Sequence, residues 1–83
     1  MDVIVEFNQA AFQHKISKED ILHALKTKIC DVSIEGLPEK YAVIGFDRKW
    51  NILEIFYNPI DDSHINVFHA MDVRNSTIKK IGL

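Results

Sequence analysis

HKISKEDILHALKTK, His14 to Lys28, is the stretch that decides the fold. Ser17 is a good helix N-cap, because its hydroxyl can accept from a backbone N–H two or three residues further on. Asp20 holds the third helical position, a shortened capping-box acid, and Ile16 and Ile21 occupy the places of a hydrophobic staple. Glu19 and Asp20 lie where the helix dipole favours negative charge. Lys26 and Lys28 fall near the end, where it favours positive charge. Ile21, Leu22 and Leu25 form an apolar stripe at helical spacing. The pattern predicts a helix from Lys18 to Thr27.

From Ile29 onward the period changes. Ile29 to Ile34 reads as a strand, stopped by the turn residues Gly36 and Pro38. Lys40 to Phe46 is a second strand, and Asp47 to Asn51 (DRKWN) a turn. Ile52 to Tyr57 is a third strand, Asn58 to Ser63 (NPIDDS) a longer turn, and His64 to Met71 a fourth strand. Upstream of the helix, Val3 to Phe7 is rich in β-formers, and Asn8 to His14 suits a short helical stretch packing Ala10, Ala11 and Phe12. The tail from Ser76 to Ile81 reads as a short helix capped by Asn75 or Ser76. The expected architecture is one α+β domain over residues 1–83, an N-terminal helical segment packed on an antiparallel sheet of about four to five strands with a short C-terminal helix.

A simple hairpin after Phe46 puts Tyr41, Val43, Leu53, Ile55 and Tyr57 on one face. Lys40, Ala42, Ile44, Phe46, Ile52, Glu54 and Phe56 then share the other, and a slip of one residue would exchange partners. Both faces are substantially apolar, so one covers the helix and the other takes the tail or a partner. Simple alternation in the last strand sets His69 on a face with Ile65, Val67 and Met71.

With 83 residues the chain buries only about 60% of its unfolded surface, so the core must be efficient. The net charge of −2 and a pI near 6.0 argue against a generic nucleic-acid binder, whose footprint is a basic patch. Local basic clusters exist nonetheless, at Arg48–Lys49 and in the tail with Arg74, Lys79 and Lys80. Cys30 is the only cysteine, so no internal disulfide forms, and between Ile29 and Val32 it reads as a small packed thiol. The chain has no apolar run of membrane-spanning length. Its opening, MDVIVEFNQ, lacks the basic and long apolar regions of a signal peptide, so a cytoplasmic location is expected.

Chemistry-bearing motifs are few. The four histidines, His14, His23, His64 and His69, show no zinc spacing with cysteine, and HExxH, GxSxG and a phosphate-binding loop are all missing. DDSH, Asp61 to His64, gathers acids and a histidine as turns do. INVFHAMDVR, Ile65 to Arg74, is more suggestive. A histidine titrates near neutral pH and shuttles protons, and an arginine five residues on offers fixed positive charge to a phosphate. The pair suits RNA cleavage by attack of a ribose 2′-hydroxyl on its neighbouring phosphate, which needs a base, an acid and a cation.

The order of elements, with His14-Lys15-Ile16-Ser17 opening an acid-rich helix, Glu39-Lys40 before a strand ending Ile44-Gly45, and Phe68-His69-Ala70-Met71 followed by Arg74, resembles the BrnT-like toxins of bacterial type II toxin–antitoxin systems, small RelE-like ribonucleases. The likeness runs from about Val3 to Lys80 and rests on order and short signatures. It implies a metal-independent endoribonuclease without a cofactor, held inactive by a cognate antitoxin. His14 matches the histidine of the family's Lys-His-Gly-Val-Ser-like opening. Lys40 stands where an arginine often follows the glutamate. His69 and Arg74 match a histidine and an arginine of one branch. Three positions depart: Lys15 replaces a glycine, Lys40 an arginine, and Met71 stands where many relatives have another arginine.

Two expectations follow. As a ribonuclease, the chain would use His69, Arg74 and Lys40 in catalysis, with His14, Arg48 and Tyr57 contacting RNA. As a catalytically degenerate relative, it would bind a protein partner through an apolar sheet face, and homodimerisation through such a face is a further variant.

Overall fold

The computed structural model describes residues 3–82. It is a two-helix α+β domain on a five-strand mixed sheet. In chain order the elements are β1 (Ile4–Phe7), a single 3-10 turn (Gln9–Phe12), α1 (Lys18–Lys26), β2 (Cys30–Ser33), β3 (Tyr41–Phe46), β4 (Ile52–Asp61), β5 (His64–Asp72) and α2 (Asn75–Ile81). The sheet order is β1-β5-β4-β3-β2.

α1 forms as its sequence directs. The Ser17 hydroxyl accepts from the Asp20 N–H at 3.1 Å, and Ile21 and Ala24 are fully buried. Its far end is stitched to the sheet. The Phe46 N–H donates to the Thr27 hydroxyl at 3.0 Å, and His23 Nδ1 lies 2.7 Å from the Phe46 carbonyl. Gly45 lets the helix lie this close, since a Cβ there would overlap the Ala24 carbonyl, only 2.7 Å from its carbon. Gly45→Ala should therefore destabilise the fold by about 2–3 kcal/mol, the upper range for overpacking against a rigid neighbour. Urea unfolding measures it, and a loss below about 0.5 kcal/mol would mean that α1 is free to shift.

The hairpin of β3 and β4 has the expected register, with Tyr41 opposite Tyr57 and Val43 opposite Ile55. Val43, Leu53 and Ile55 join Ile21, Ala24, Val67 and Ala70 in the core under α1. The opposite face carries Ala42, Glu54 and Phe56, and α2 lies against it.

Five expectations need correction. The sheet is mixed, because β1 runs parallel to β5, with Ile4 opposite His64. Residues Asn58 to Asp61 belong to β4 and are not a turn. Pro59 is tolerated there because β4 has outrun β3, whose register ends at Tyr57, so the missing N–H costs no bond to that neighbour. The last strand carries a bulge: Phe56 faces His69 while Tyr57 faces Val67, leaving Phe68 unpaired. The bulge turns His69 and Met71 away from Val67 and onto the α2 face. Finally, α2 is capped by Arg74, in extended conformation and without a side-chain cap bond, not by Asn75 or Ser76. Cys30 is half-buried rather than packed away.

Among the described residues, three other than glycine, Lys15, Glu39 and Trp50, have a positive φ. The left-handed region costs an L-residue about 1–2 kcal/mol, against about 0.5–1 kcal/mol of extra chain entropy for glycine. Lys15 is exposed, with φ 64°, so Lys15→Gly should stabilise the fold by about 0.5 kcal/mol. A lowered urea midpoint would contradict this.

Candidate functional site: a buried glutamate holding His69 and Arg74

Glu54 sits in the middle of β4, in the run Ile52-Leu53-Glu54-Ile55-Phe56. Its neighbours Leu53 and Ile55 enter the core under α1, so strand alternation turns Glu54 to the opposite face, between Ile44 and Met71. It is fully buried. A carboxylate out of water must be paired and hydrogen-bonded to stay ionised. Oε2 accepts from Arg74 Nη2 at 2.6 Å, His69 Nε2 at 2.7 Å and Arg74 Nε at 3.0 Å. Oε1 accepts from the Arg74 backbone N–H at 2.9 Å, and the Thr77 hydroxyl adds a further bond. Burial pushes the carboxyl pKa up. The bonds from the Arg74 side chain, Thr77, the Arg74 backbone and His69 together outweigh it and hold the pKa below the ordinary glutamate range. Among the described residues no buried side-chain nitrogen or oxygen lacks a partner.

This arrangement fixes the imidazole of His69. A carboxylate only accepts, so Nε2 is the donor and Nδ1 is the nitrogen left for proton exchange. The ring stacks on Phe56 at 4.4 Å between centroids and is 18% exposed. The ring of His14 meets it edge-on at 5.5 Å. His14 is exposed and follows the 3-10 turn that packs on β5, with Lys15 in its left-handed conformation directly after it. Arg74 gives two of its five N–H donors to Glu54, and its side chain remains 46% exposed, so the other three are open to an anion. Lys40 stands at the margin, its Nζ 5.0 Å above the Phe68 ring, which packs on Phe56.

The structure thus brings His14, His69 and Arg74 together and sets Lys40 at their rim. It separates Arg48 and Tyr57 from them. Arg48 is tied to the start of α1: its backbone N–H and its Nε reach Asp20 Oδ1 at 3.0 and 2.9 Å. The bond from the Arg48 side chain, chief among several, draws the Asp20 carboxyl down to about 2. Tyr57 lies one residue beyond Phe56 and so points to the α1 side. There its hydroxyl donates to Asp31 at 2.8 Å and its ring stacks on Tyr41. Burial first, and Asp31 second, push its phenol pKa up. Arg48 and Tyr57 are therefore not part of this cluster. His64 pairs with Asp61 in the β4–β5 turn at 2.9 Å. Among the described residues no three His, Cys, Asp or Glu side chains converge as metal ligands, and no helix is long and apolar enough to cross a membrane.

Glu54 is the residue that sequence reasoning passed over. It had been placed on the right face, but only as a member of that face. The signal was present: a lone acid inside an apolar strand, expected to be covered on one side by helices, must find donors nearby. Searches against protein-family models, curated proteins and solved structures returned no match for this chain.

Chemically, the cluster couples an imidazole of fixed tautomer to a second, exposed imidazole and an exposed guanidinium. That set can move protons beside a phosphate and stabilise the charge that develops on it.

Proposed function

We propose that this chain is a metal-independent endoribonuclease of RelE-like fold, similar to the BrnT-like toxins and neutralised by a cognate antitoxin. The observation that supports this best is the His14–His69 pair beside Arg74, with His69 oriented by buried Glu54. Cleavage of RNA by its own 2′-hydroxyl needs one base to take the hydroxyl proton and one acid to protonate the departing 5′-oxygen. His69 Nδ1 and the His14 ring supply these two roles, and Arg74 and Lys40 stabilise the charge on the phosphoryl oxygens. The products are a 2′,3′-cyclic phosphate and a 5′-hydroxyl. Lys15 lends further support, because the position where the BrnT-like opening carries glycine has φ 64° here.

The test is induction in a bacterial host without any antitoxin. Growth arrest is expected, with messenger RNA fragments ending in 2′,3′-cyclic phosphate. Normal growth and intact RNA in cells containing folded protein would refute the reading.

One observation favours a second reading, a catalytically degenerate protein-binding module. Trp50 is 67% exposed and holds φ 67°, where glycine would be easier, and it packs on Phe46 close to exposed Ile52. A bulky aromatic kept on a strained turn is the kind of anchor that protein interfaces use. On that reading Trp50→Asp abolishes the biological effect and His69→Ala leaves it intact.

A further inference from the structure

We infer that the cleft between α2 and the sheet is a nucleobase subsite, placed so that a nucleotide seated there presents its phosphate to Arg74 and His69. The inference rests on the ribonuclease reading and names where its substrate binds.

The cleft has a volume of about 120 Å³. Its floor is Ala42 and Phe56, Leu37 and Ile81 form apolar walls, and Arg74 and Lys80 stand at its rim. No acidic side chain lines it, whereas Glu54 beneath Arg74 is neutralised by its own bonds. An apolar slot whose charged lining residues are both cations is complementary to a ligand with a flat apolar body and an anionic end. A nucleotide is such a ligand, and nucleobases stack on aromatic faces irrespective of sequence.

Two residues tie the slot to the catalytic cluster. Phe56 is at once part of its floor and the ring on which His69 stacks. Arg74 is both rim and partner of Glu54, with donors to spare. A base against Phe56 therefore places its own 3′-phosphate beside the guanidinium, within reach of the two imidazoles. Ser76, on the same rim, can exchange hydrogen bonds with a base edge, which gives the slot a means of preferring one base.

The experiment titrates the 15N-labelled protein, in chelator, with each of the four nucleoside 3′-monophosphates, and with orthophosphate and octanoate as controls. Nucleotides should shift the amides of Ala42, Phe56 and Lys80, while orthophosphate should shift only those around Arg74. Ala42→Met fills the slot and should weaken nucleotide binding about tenfold or more, the share a stacked base supplies, while leaving orthophosphate unaffected. Lys80→Glu, an exposed change outside the core, should weaken it at low salt and less so at high salt. Octanoate binding as tightly as a nucleotide, or nucleotide shifts that avoid Ala42 and Phe56, would overturn the assignment. The ribonuclease reading fails separately: nucleotides that fill the slot of a protein that leaves RNA intact would refute catalysis and leave the subsite standing. Conversely, RNA cleavage by Ala42→Met at the wild-type rate and with unchanged base preference would refute the subsite alone.

Discussion

Arg74→Ala should destabilise the protein by about 3 kcal/mol at pH 7, because it removes the main partner of a carboxylate with no access to water. Three of the bonds to Glu54 involve Arg74; two vanish with its side chain, and the backbone N–H bond stays. His69 and Thr77 remain as donors, which keeps the loss at the lower end of the range for broken buried ion pairs. The pH dependence gives the sharper signature. In the wild type the Glu54 pKa is lowered by folding, so its stabilising contribution is complete above about pH 4.3, the ordinary glutamate value, and is lost as pH falls through the folded-state value. Without the guanidinium, burial is the dominant influence and drives the pKa upward. A folded-state pKa above the unfolded one reverses the sign: the variant's Glu54 is least harmful at low pH and costs stability as pH rises. The gap between wild type and Arg74→Ala should thus be wide at pH 7 and narrow toward pH 4, as read by urea unfolding. Replacing both charges together, as in Glu54→Leu/Arg74→Met, should recover most of the loss, since an apolar pair of similar volume leaves nothing unpaired. A gap that is independent of pH, or a double variant no better than the single one, would show that Glu54 is not held as an ion.

The sequence made most of this scaffold legible, and its failures have physical causes. The Ser17 cap, the apolar stripe of α1 and the register of β3 against β4 are local or nearly so, and propensity and periodicity report local interactions well. The parallel pairing of β1 with β5 joins opposite ends of the chain and leaves no local trace in either segment. The bulge at Phe68 is one unpaired residue set by the twist of the assembled strands, yet it decides which face His69 occupies. Pro59 and Asp61 read as a turn because the rule against proline in strands assumes neighbours on both sides, and β4 is open on one side beyond Tyr57. The candidate site was half legible. His69 and Arg74 were chosen from their chemistry and spacing, Lys40 and His14 from a family likeness, and the four lie within one region of the fold. The buried acid that fixes two of them was not chosen, because carboxylates are usually solvated and a single sequence does not report burial. Arg48 and Tyr57 were chosen by residue type, and their partners, Asp20 and Asp31, are made neighbours only by folding.

His69→Ala should lower RNA cleavage about 10²–10⁴-fold, the usual contribution of a positioned acid or base, while costing the fold only about 1–2 kcal/mol. The two effects separate because Glu54 keeps Arg74 and Thr77 when the imidazole is gone, so the carboxylate remains satisfied. His14→Ala should give a loss of similar size with almost no loss of stability, since His14 is exposed and makes no hydrogen bond among the described residues. On the ribonuclease reading the two histidines work as one device, one giving a proton where the other takes one. Their losses should therefore fall well short of multiplying in the double variant, as with residues that act as a unit. The pH profile tells the roles apart. The wild type should show a bell, rising on one limb and falling on the other, and each single variant should lose one limb and keep the other. Phe56→Leu keeps an apolar surface under His69 but removes the stacked ring. It should blunt activity less than His69→Ala and leave both limbs in place. Cleavage by His69→Ala at the wild-type rate, in protein shown to be folded, would refute the assignment of His69 to proton transfer.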